Sequence, residues 1–344
     1  EYDATLGKFV DSKTGKTGSL SDFTEVMNKK GTFEQIVDRL KAKAQPLYDS
    51  TPDWGDKPTL KKRAEEYGYL YFKGLINKEE TLALKRKFLE VYKKHRLDVE
   101  PVTYYGGSGP DGYWTDILHL YDFHKFPHNQ KCLKEAADIA TGGDCLLVPR
   151  LIARVIHPQD RALTTLPHQD TIYSSEHEQA YTCWVPLGDV PEKMGGLMVA
   201  KGSHKDGCIP AEEYFFDKDN KMMTTWPDNV EDYEWHTTDY EVGDFLMFHF
   251  RTIHAGSHNE SAHVRFSCDF RMIPKSETWQ SFYLIPHLEN VSFDQIYNTW
   301  DQNDIKYYWK DHTLDVHHVH NENTVYRDME HSVEDVRLQI YKPY

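Results

Sequence analysis

His168 and Asp170 stand two residues apart in Leu166-Pro-His-Gln-Asp-Thr171. Read as an extended strand, that spacing projects an imidazole and a carboxylate to one face. The pair is half of a site for divalent iron, in which two histidines and one carboxylate occupy one face of the ion and leave three positions open. The tripeptide alone is weak evidence, and the second histidine must come from elsewhere. His254 is the best placed. It follows the apolar strand that opens at Gly243-Asp244 and precedes a turn of small residues, in Phe245-Leu-Met-Phe-His-Phe-Arg-Thr-Ile-His-Ala-Gly-Ser-His-Asn259. His249, His258 and His263 flank it, with His258 the nearest alternate. Eleven residues past His254 comes Arg265, again in a strand. A buried arginine is a rigid two-pronged donor for a carboxylate. Open iron positions beside such an arginine form the arrangement needed to chelate a 2-oxo diacid.

The elements that must position these groups change character along the chain. The first sixty residues read as short polar helices and loops. Ser19 to Met27 starts like a helix. Thr32 to Ala44 carries Phe33, Ile36, Val37 and Leu40 at helical spacing, with Thr32 and Gln35 in a capping-box pattern. Pro52 and Lys57-Pro58 read as loop, followed by a helix over Thr59–Tyr67 and a short aromatic strand between Gly68 and Gly74. Asn77 caps a helix over Lys78–His95 with Leu82, Leu84, Phe88 and Val91 as its apolar stripe. Residues 100–125 read as a long loop of glycines and aromatics, a candidate lid. From Leu146 to about Met272 short strands alternate with turns: 150–157, 181–187, 196–200, 245–250 and 264–271. That succession predicts a sandwich or double-sheet barrel. The tail, 275–344, reads as partly helical over 293–299 and 333–339.

Composition narrows the partners. The chain has 344 residues, with 55 acidic against 40 basic side chains and a formal charge of -15. Phosphate binding needs a basic face, so nucleic acid is not the expected partner. No apolar run is long enough for a membrane span. Aromatic residues make up 13% of the chain, enough for a sizeable core. Five scattered cysteines without a CxxC pair suggest neither a disulfide framework nor a zinc knuckle, and fit a cytoplasmic or other reducing compartment. The first residue is Glu1, so a targeting segment trimmed from the chain is an open expectation.

The motifs together resemble the phytanoyl-CoA dioxygenase family of Fe(II)/2-oxoglutarate-dependent oxygenases. The resemblance rests on His168-x-Asp170, the Gly243-Asp244 strand leading to His254, Asn259 and Arg265. It extends to Gly68-Tyr-Leu-Tyr-Phe-Lys-Gly74, to Trp184-Val-Pro-Leu-Gly-Asp, and to Gly195-Gly-Leu-Met-Val-Ala-Lys-Gly-Ser-His-Lys205. It covers roughly residues 62–273. It implies a mainly β chain with helical extensions (α+β) around a double-stranded β-helix, a jelly-roll or cupin-like core. By position it implies that His168, Asp170 and His254 bind Fe(II), and that Arg265 pairs with the far carboxylate of 2-oxoglutarate. Ser267, Thr165 and Trp184 are weaker candidates for the same pocket. With Asp170 present the resemblance implies oxidation rather than halogenation, since related halogenases replace this carboxylate with a small residue.

The organisation this predicts is one catalytic domain over 1–344. A helical extension (1–60) precedes the oxygenase core (61–274), and a C-terminal extension (275–344) follows. Arg150 and Arg154 share a face of the strand 150–157. Arg154 is a candidate for an anionic substrate group, and Arg150 reads as outward, solvated charge. Tyr105 and Trp114, in the candidate lid, are the other substrate candidates. His204 reads as structural, and His312, His317, His318 and His320 as a solvated polar loop. The expected activity is an Fe(II)- and 2-oxoglutarate-dependent dioxygenase, with O2 as co-substrate. It would oxidise an unactivated C–H bond of a small metabolite by hydroxylation, desaturation or cyclisation, and release succinate and CO2. Alternatives are a fatty acyl-CoA or lipid hydroxylase, a jumonji-like protein hydroxylase, and a jelly-roll binding protein without activity.

Overall fold

The strand Arg265–Pro274 divides the molecule into two faces. Successive strand side chains point to opposite sides. Phe266, Cys268, Phe270 and Met272 enter a large apolar cluster. Arg265, Ser267, Asp269 and Arg271, buried on the opposite side, cannot join it. In this computed structural model the described residues are 2–3, 8–10, 17–19, 33–95, 113–158, 164–173, 179–209, 214–217, 222–225, 230–287 and 291–317.

Six strands form the larger sheet, all paired antiparallel. The order is Tyr69–Phe72, Phe245–His249, Tyr181–Pro186, Arg265–Pro274 and Cys145–Leu147, with Ile152–Ile156 also paired to Arg265–Pro274. A four-stranded sheet runs His254–Gly256, Leu197–Ala200, Trp235–Thr237 and Gln45–Pro46, the last pair parallel. The two sheets face each other. Tyr69, Tyr71, Trp184, Leu246 and Phe248 of the larger share one apolar cluster with Leu197 and Val199 of the smaller. The result is the expected α+β fold with a jelly-roll type of core.

Helices close the outer faces. Phe33–Lys43 lays Ile36, Val37 and Leu40 on Met198, Ala200 and Ala255, the outward residues of the smaller sheet. Each of these aliphatic side chains is essentially fully buried, worth about 1.5–3 kcal/mol apiece. The larger sheet is covered by Lys57–Tyr67, Lys78–Lys94, Tyr113–His119, Tyr121–Asn129 and Lys131–Thr141, and from the C-terminal side by Phe293–Tyr297. Residues 33–46 and 291–309 therefore build into the two layers directly.

Several expectations need correction. The helix expected from Thr59 begins at Lys57, because Asp56 caps it by accepting a hydrogen bond from the Thr59 N–H, and Pro58 fits the first turn, where its missing N–H costs nothing. Leu82 is 38% exposed and leaves the apolar stripe of Lys78–Lys94. It lies two residues from Leu84, about 200° round the helix, and Thr81 takes the buried place. Of the span 100–125 read as loop, 113–125 is largely helical, over Tyr113–His119 and the start of Tyr121–Asn129, and 100–112 lies outside the described residues. Ile117 and Leu118 are buried in the helix Tyr113–His119, and tertiary packing there overrides the loop-like composition. The helix Lys131–Thr141, with Leu133, Ala136, Ala137 and Ala140 on its buried face, escaped the reading altogether. Ser19 closes a short strand, Thr17–Ser19, rather than opening a helix, and the rest of 19–27 lies outside the described residues, as does 333–339.

Candidate active site

His168, Asp170 and His254 converge between the sheets. All three are buried, and one ligand atom from each lies within 4.8 Å of the others. The local backbone differs from the extended strand expected. His168 forms a single antiparallel bridge with His254, each N–H donating to the other's carbonyl (3.0 and 2.9 Å). Asp170 instead starts a 3-10 turn, Asp170–Tyr173, with its N–H donating to Phe250 O at 2.9 Å. The convergence therefore comes from the bridge and the turn, and both hang on the segment 250–254. His254 itself pairs with Val199, whose side chain lies in the cluster between the sheets.

Hydrogen bonds set the imidazoles for a metal. His168 Nδ1–H donates to Leu166 O at 2.7 Å, and His254 Nδ1–H to Thr252 O at 3.0 Å. A carbonyl only accepts, so each Nδ1 carries the proton and each Nε2 presents its lone pair. Burial, then the neighbouring His254, pulls the His168 pKa down to about 3, and burial lowers His254 as well. Both rings are neutral, the ligand form. Burial pushes the Asp170 carboxyl upward, but Arg271 and the two histidines outweigh it and hold Asp170 well below the usual carboxylate range. Two neutral imidazoles and one carboxylate fit a divalent iron.

The sign of the histidine shifts gives a stability expectation for the metal-free protein. His124, buried under the outer helices, is lowered to about 4, mainly by burial. Between pH 6.5 and about 4 the unfolded chain takes up protons at His124 and His168 that the folded chain refuses. The contribution of these two groups is therefore fully present above pH 6.5 and is lost as pH drops through that window, by on the order of 1 kcal/mol per pH unit for each group. Thermal unfolding followed from pH 7 to pH 4.5 in chelator checks it, and a flat melting temperature would contradict it.

Arg265 is buried at the start of the strand Arg265–Pro274, and no described carboxylate forms an ion pair with it. Its Nη1 donates to Gly195 O, and its guanidinium lies 5.7 Å from the Trp184 ring centroid. Burial and the neighbouring Arg154 bring its pKa down to about 10, so it remains charged at neutral pH. Arg265 Nε, Ser267 Oγ and Trp184 Nε1 are all buried without a hydrogen-bond partner. Ser267 lies two residues along the strand from Arg265, and Asp269 pairs with Trp184 across it, so these groups share the inward face. An unneutralised guanidinium with its own Nε orphaned, and two further orphaned polar atoms on the same face, call for an anionic ligand with several acceptor oxygens. A 2-oxo diacid satisfies that demand.

Gly195 holds this arrangement by its shape. Its φ is +78°, and a Cβ there would lie 2.4 Å from Ser257 O and 2.9 Å from Asn259 N. Both are backbone atoms that cannot swing aside. Gly195→Ala is expected to cost about 1–3 kcal/mol of stability from the left-handed backbone alone, and to loosen the carbonyl that orients Arg265. Thermal unfolding combined with a 2-oxoglutarate titration tests it. Unchanged values in both would contradict it.

Of the remaining candidates, Arg154 lies on the same inward face and the others lie elsewhere. Thr165 is buried, and its carbonyl accepts from the Gly256 N–H at 2.8 Å. Arg154 lies opposite Ser267, and its Nε donates to Asp269 Oδ2 at 2.6 Å. Arg150 is not a solvated charge. It precedes the strand, is 5% exposed, and donates to Pro286 O and His287 O at 2.6 and 3.2 Å. Trp114 packs against the cluster under the outer helices. Tyr105 lies outside the described residues, as do His318 and His320. His317 closes the strand Asp315–His317 rather than lying in a loop. Among the flanking histidines, His258 Nδ1 pairs with Thr164 Oγ1 and His249 Nδ1 accepts from the Arg251 N–H. His204 Nε2 lies 3.1 Å from Glu65 O. Arg271 and Thr182, which touch Asp170, escaped the sequence reading. Two-residue alternation from Arg265 would have found Arg271.

Comparison with protein families matches residues 64–267 to the phytanoyl-CoA dioxygenase (PhyH) family. Among curated proteins, the chain is 25% identical over 260 residues to the 1-deoxypentalenic acid 11-beta-hydroxylase of Streptomyces exfoliatus, covering 66% of this chain and 85% of that protein. Among solved structures it is similar to the non-heme alpha ketoglutarate dependent carbocyclase SnoK from nogalamycin biosynthesis, at a TM-score of 0.49, 21% identity, 63% of this chain and 83% of that one. It is also similar to EvdO2 from Micromonospora carbonacea var. aurantiaca complexed with 2-oxoglutarate, at a TM-score of 0.47, 15% identity, 63% of this chain and 90% of that one.

Proposed function

The chain belongs to the phytanoyl-CoA dioxygenase family, and from that premise we propose that it is an Fe(II)- and 2-oxoglutarate-dependent dioxygenase that oxidises a small organic metabolite in specialised metabolism. The observation that carries the reading is the buried cluster of His168, Asp170 and His254, together with a buried Arg265 that no described carboxylate neutralises. Fe(II), when bound, would supply the oxidising chemistry with O2 as the oxidant, the four electrons coming from decarboxylation of 2-oxoglutarate to succinate and CO2 and from a substrate C–H bond.

The chain's own residues supply the rest. His168 and His254 present neutral Nε2 atoms, locked in that tautomer by the Leu166 and Thr252 carbonyls. Asp170 supplies the one negative ligand. Arg265 takes the distal carboxylate of 2-oxoglutarate, with Ser267 and Trp184 as further donors. The layers of apolar side chains on both sheets exclude water from the reaction. Arg154, on the strand opposite Ser267, is the substrate-facing candidate. The sequence relative acts on a carboxylic acid, 1-deoxypentalenic acid, and Arg154 is the residue suited to such a group.

No helix among the described residues is long and apolar enough to cross a membrane. The test is succinate production in the presence of Fe(II), 2-oxoglutarate and oxygen, with a panel of small terpenoid, polyketide and amino-acid-derived metabolites. Turnover that requires all three and stops on chelation supports the reading. Substrate oxidation that continues without 2-oxoglutarate contradicts it.

A further inference from the structure

Beyond the metal ligands themselves, both oxygens of the Asp170 carboxylate are engaged by protein donors. Thr182 Oγ1 donates to Oδ2, and Arg271 Nη2 donates to Oδ1 at 3.3 Å. Arg271 and Thr182 are directly paired across neighbouring strands, so their side chains rise side by side from the inward face of the larger sheet. All three residues are at least nine-tenths buried, at 5%, 1% and 3% exposure for Arg271, Thr182 and Asp170. The Asp170 backbone is tied separately, through its N–H to Phe250 O. Two donors on two oxygens fix the rotation of the carboxylate about its own axis, which a single hydrogen bond would leave free.

That rotation decides how many metal positions remain open. A carboxylate that chelates through both oxygens occupies two positions on an ion. With two histidines it would leave only two of six. A 2-oxo acid chelate takes two and oxygen takes a third, so the chemistry requires coordination through one oxygen. We propose that Arg271 and Thr182 are positioning residues that hold Asp170 to one-oxygen coordination and so keep the third position open. The inference rests on the metal site of the proposed function.

Arg271 is also a positive charge beside the ion, so its removal mixes positioning with electrostatics. The informative variants keep the charge unchanged. Arg271→Lys retains the cation but loses the planar fork, and Thr182→Val removes the hydroxyl at equal shape. The probe is Co(II) alone, titrated into the full chain without oxygen and followed by its visible absorption. Each variant is expected to raise the Co(II) dissociation constant about tenfold or more. Each is also expected to change the band shape and intensity, which report coordination number and which a merely structural role would leave alone. Far-ultraviolet circular dichroism and thermal unfolding of the metal-free forms establish that the fold is intact. If Arg271→Lys does not fold, Thr182→Val decides. Parental affinity within twofold together with a parental spectrum in the folded variants overturns the inference. Failure of the underlying reading looks different: the parent chain then takes up no Co(II), or His168→Ala takes it up as well as the parent.

Discussion

Asp170→Ala and His168→Ala are each expected to lose metal-dependent turnover by roughly 1,000-fold or more. A ligand bond to a catalytic ion contributes several kcal/mol, and each 1.36 kcal/mol is a factor of ten in rate. The two variants then part ways. His168 gives up only a neutral ring held by the Leu166 carbonyl. Asp170 gives up the carboxylate that faces Arg271 across 3.3 Å, with both side chains almost fully buried. Removing one partner of a buried ion pair leaves an uncompensated charge and costs about 3–5 kcal/mol. Metal-free Asp170→Ala should therefore melt well below metal-free His168→Ala, although both fail to turn over. Equal melting temperatures would show that Arg271 does not depend on Asp170. Full activity in either variant would remove that residue from the ligand set.

Replacing Arg265 should trade stability against cofactor binding. The guanidinium is 3% exposed, has an orphaned Nε, and forms no ion pair with a described carboxylate. The folded metal-free chain bears the cost of burying it. Arg265→Met keeps the volume and removes the charge, so the metal-free protein is expected to melt at a higher temperature than the parent. The same variant loses the charge-assisted pair to the 2-oxoglutarate carboxylate, about 3–4 kcal/mol, which is roughly a 100- to 1,000-fold rise in the 2-oxoglutarate requirement. Metal binding should persist, because Arg265 touches none of the three ligands. Paired melting curves and 2-oxoglutarate titrations test both halves. An unchanged 2-oxoglutarate requirement would place the carboxylate elsewhere and favour a jumonji-like anchor on another strand.

The residues of this site were legible in the sequence more than their geometry was. The strand pattern and the motif spacing single out His168, Asp170, His254 and Arg265, and the structure brings the first three together. The backbone that joins the first two was not legible. A bridge followed by a 3-10 turn leaves the same His-x-Asp string as a strand does, and only the pairing of His168 with His254, distant in the chain, selects between them. The burial of Arg150 is illegible in the sequence for a similar reason. Its partners, the carbonyls of Pro286 and His287, come from a segment whose packing no local pattern reveals. Helix Lys131–Thr141 was missed because three of its buried positions are alanine, which carries little hydropathic contrast. The glycine turns fared better. Gly195 belongs to a motif legible in the sequence, and its +78° φ and the backbone pressed against it supply the physical reason.

The central claim is that one Fe(II) and one 2-oxoglutarate meet at His168, Asp170 and His254. The most direct measurement needs no substrate. Fe(II)-loaded protein is titrated with 2-oxoglutarate in the absence of oxygen, and the visible charge-transfer absorption of the complex is recorded. A saturable band that reaches its maximum at one Fe(II) per chain and disappears in His254→Ala is the expected result. No band in the parent protein at saturating Fe(II) and 2-oxoglutarate, or an undiminished band in His254→Ala, would contradict it.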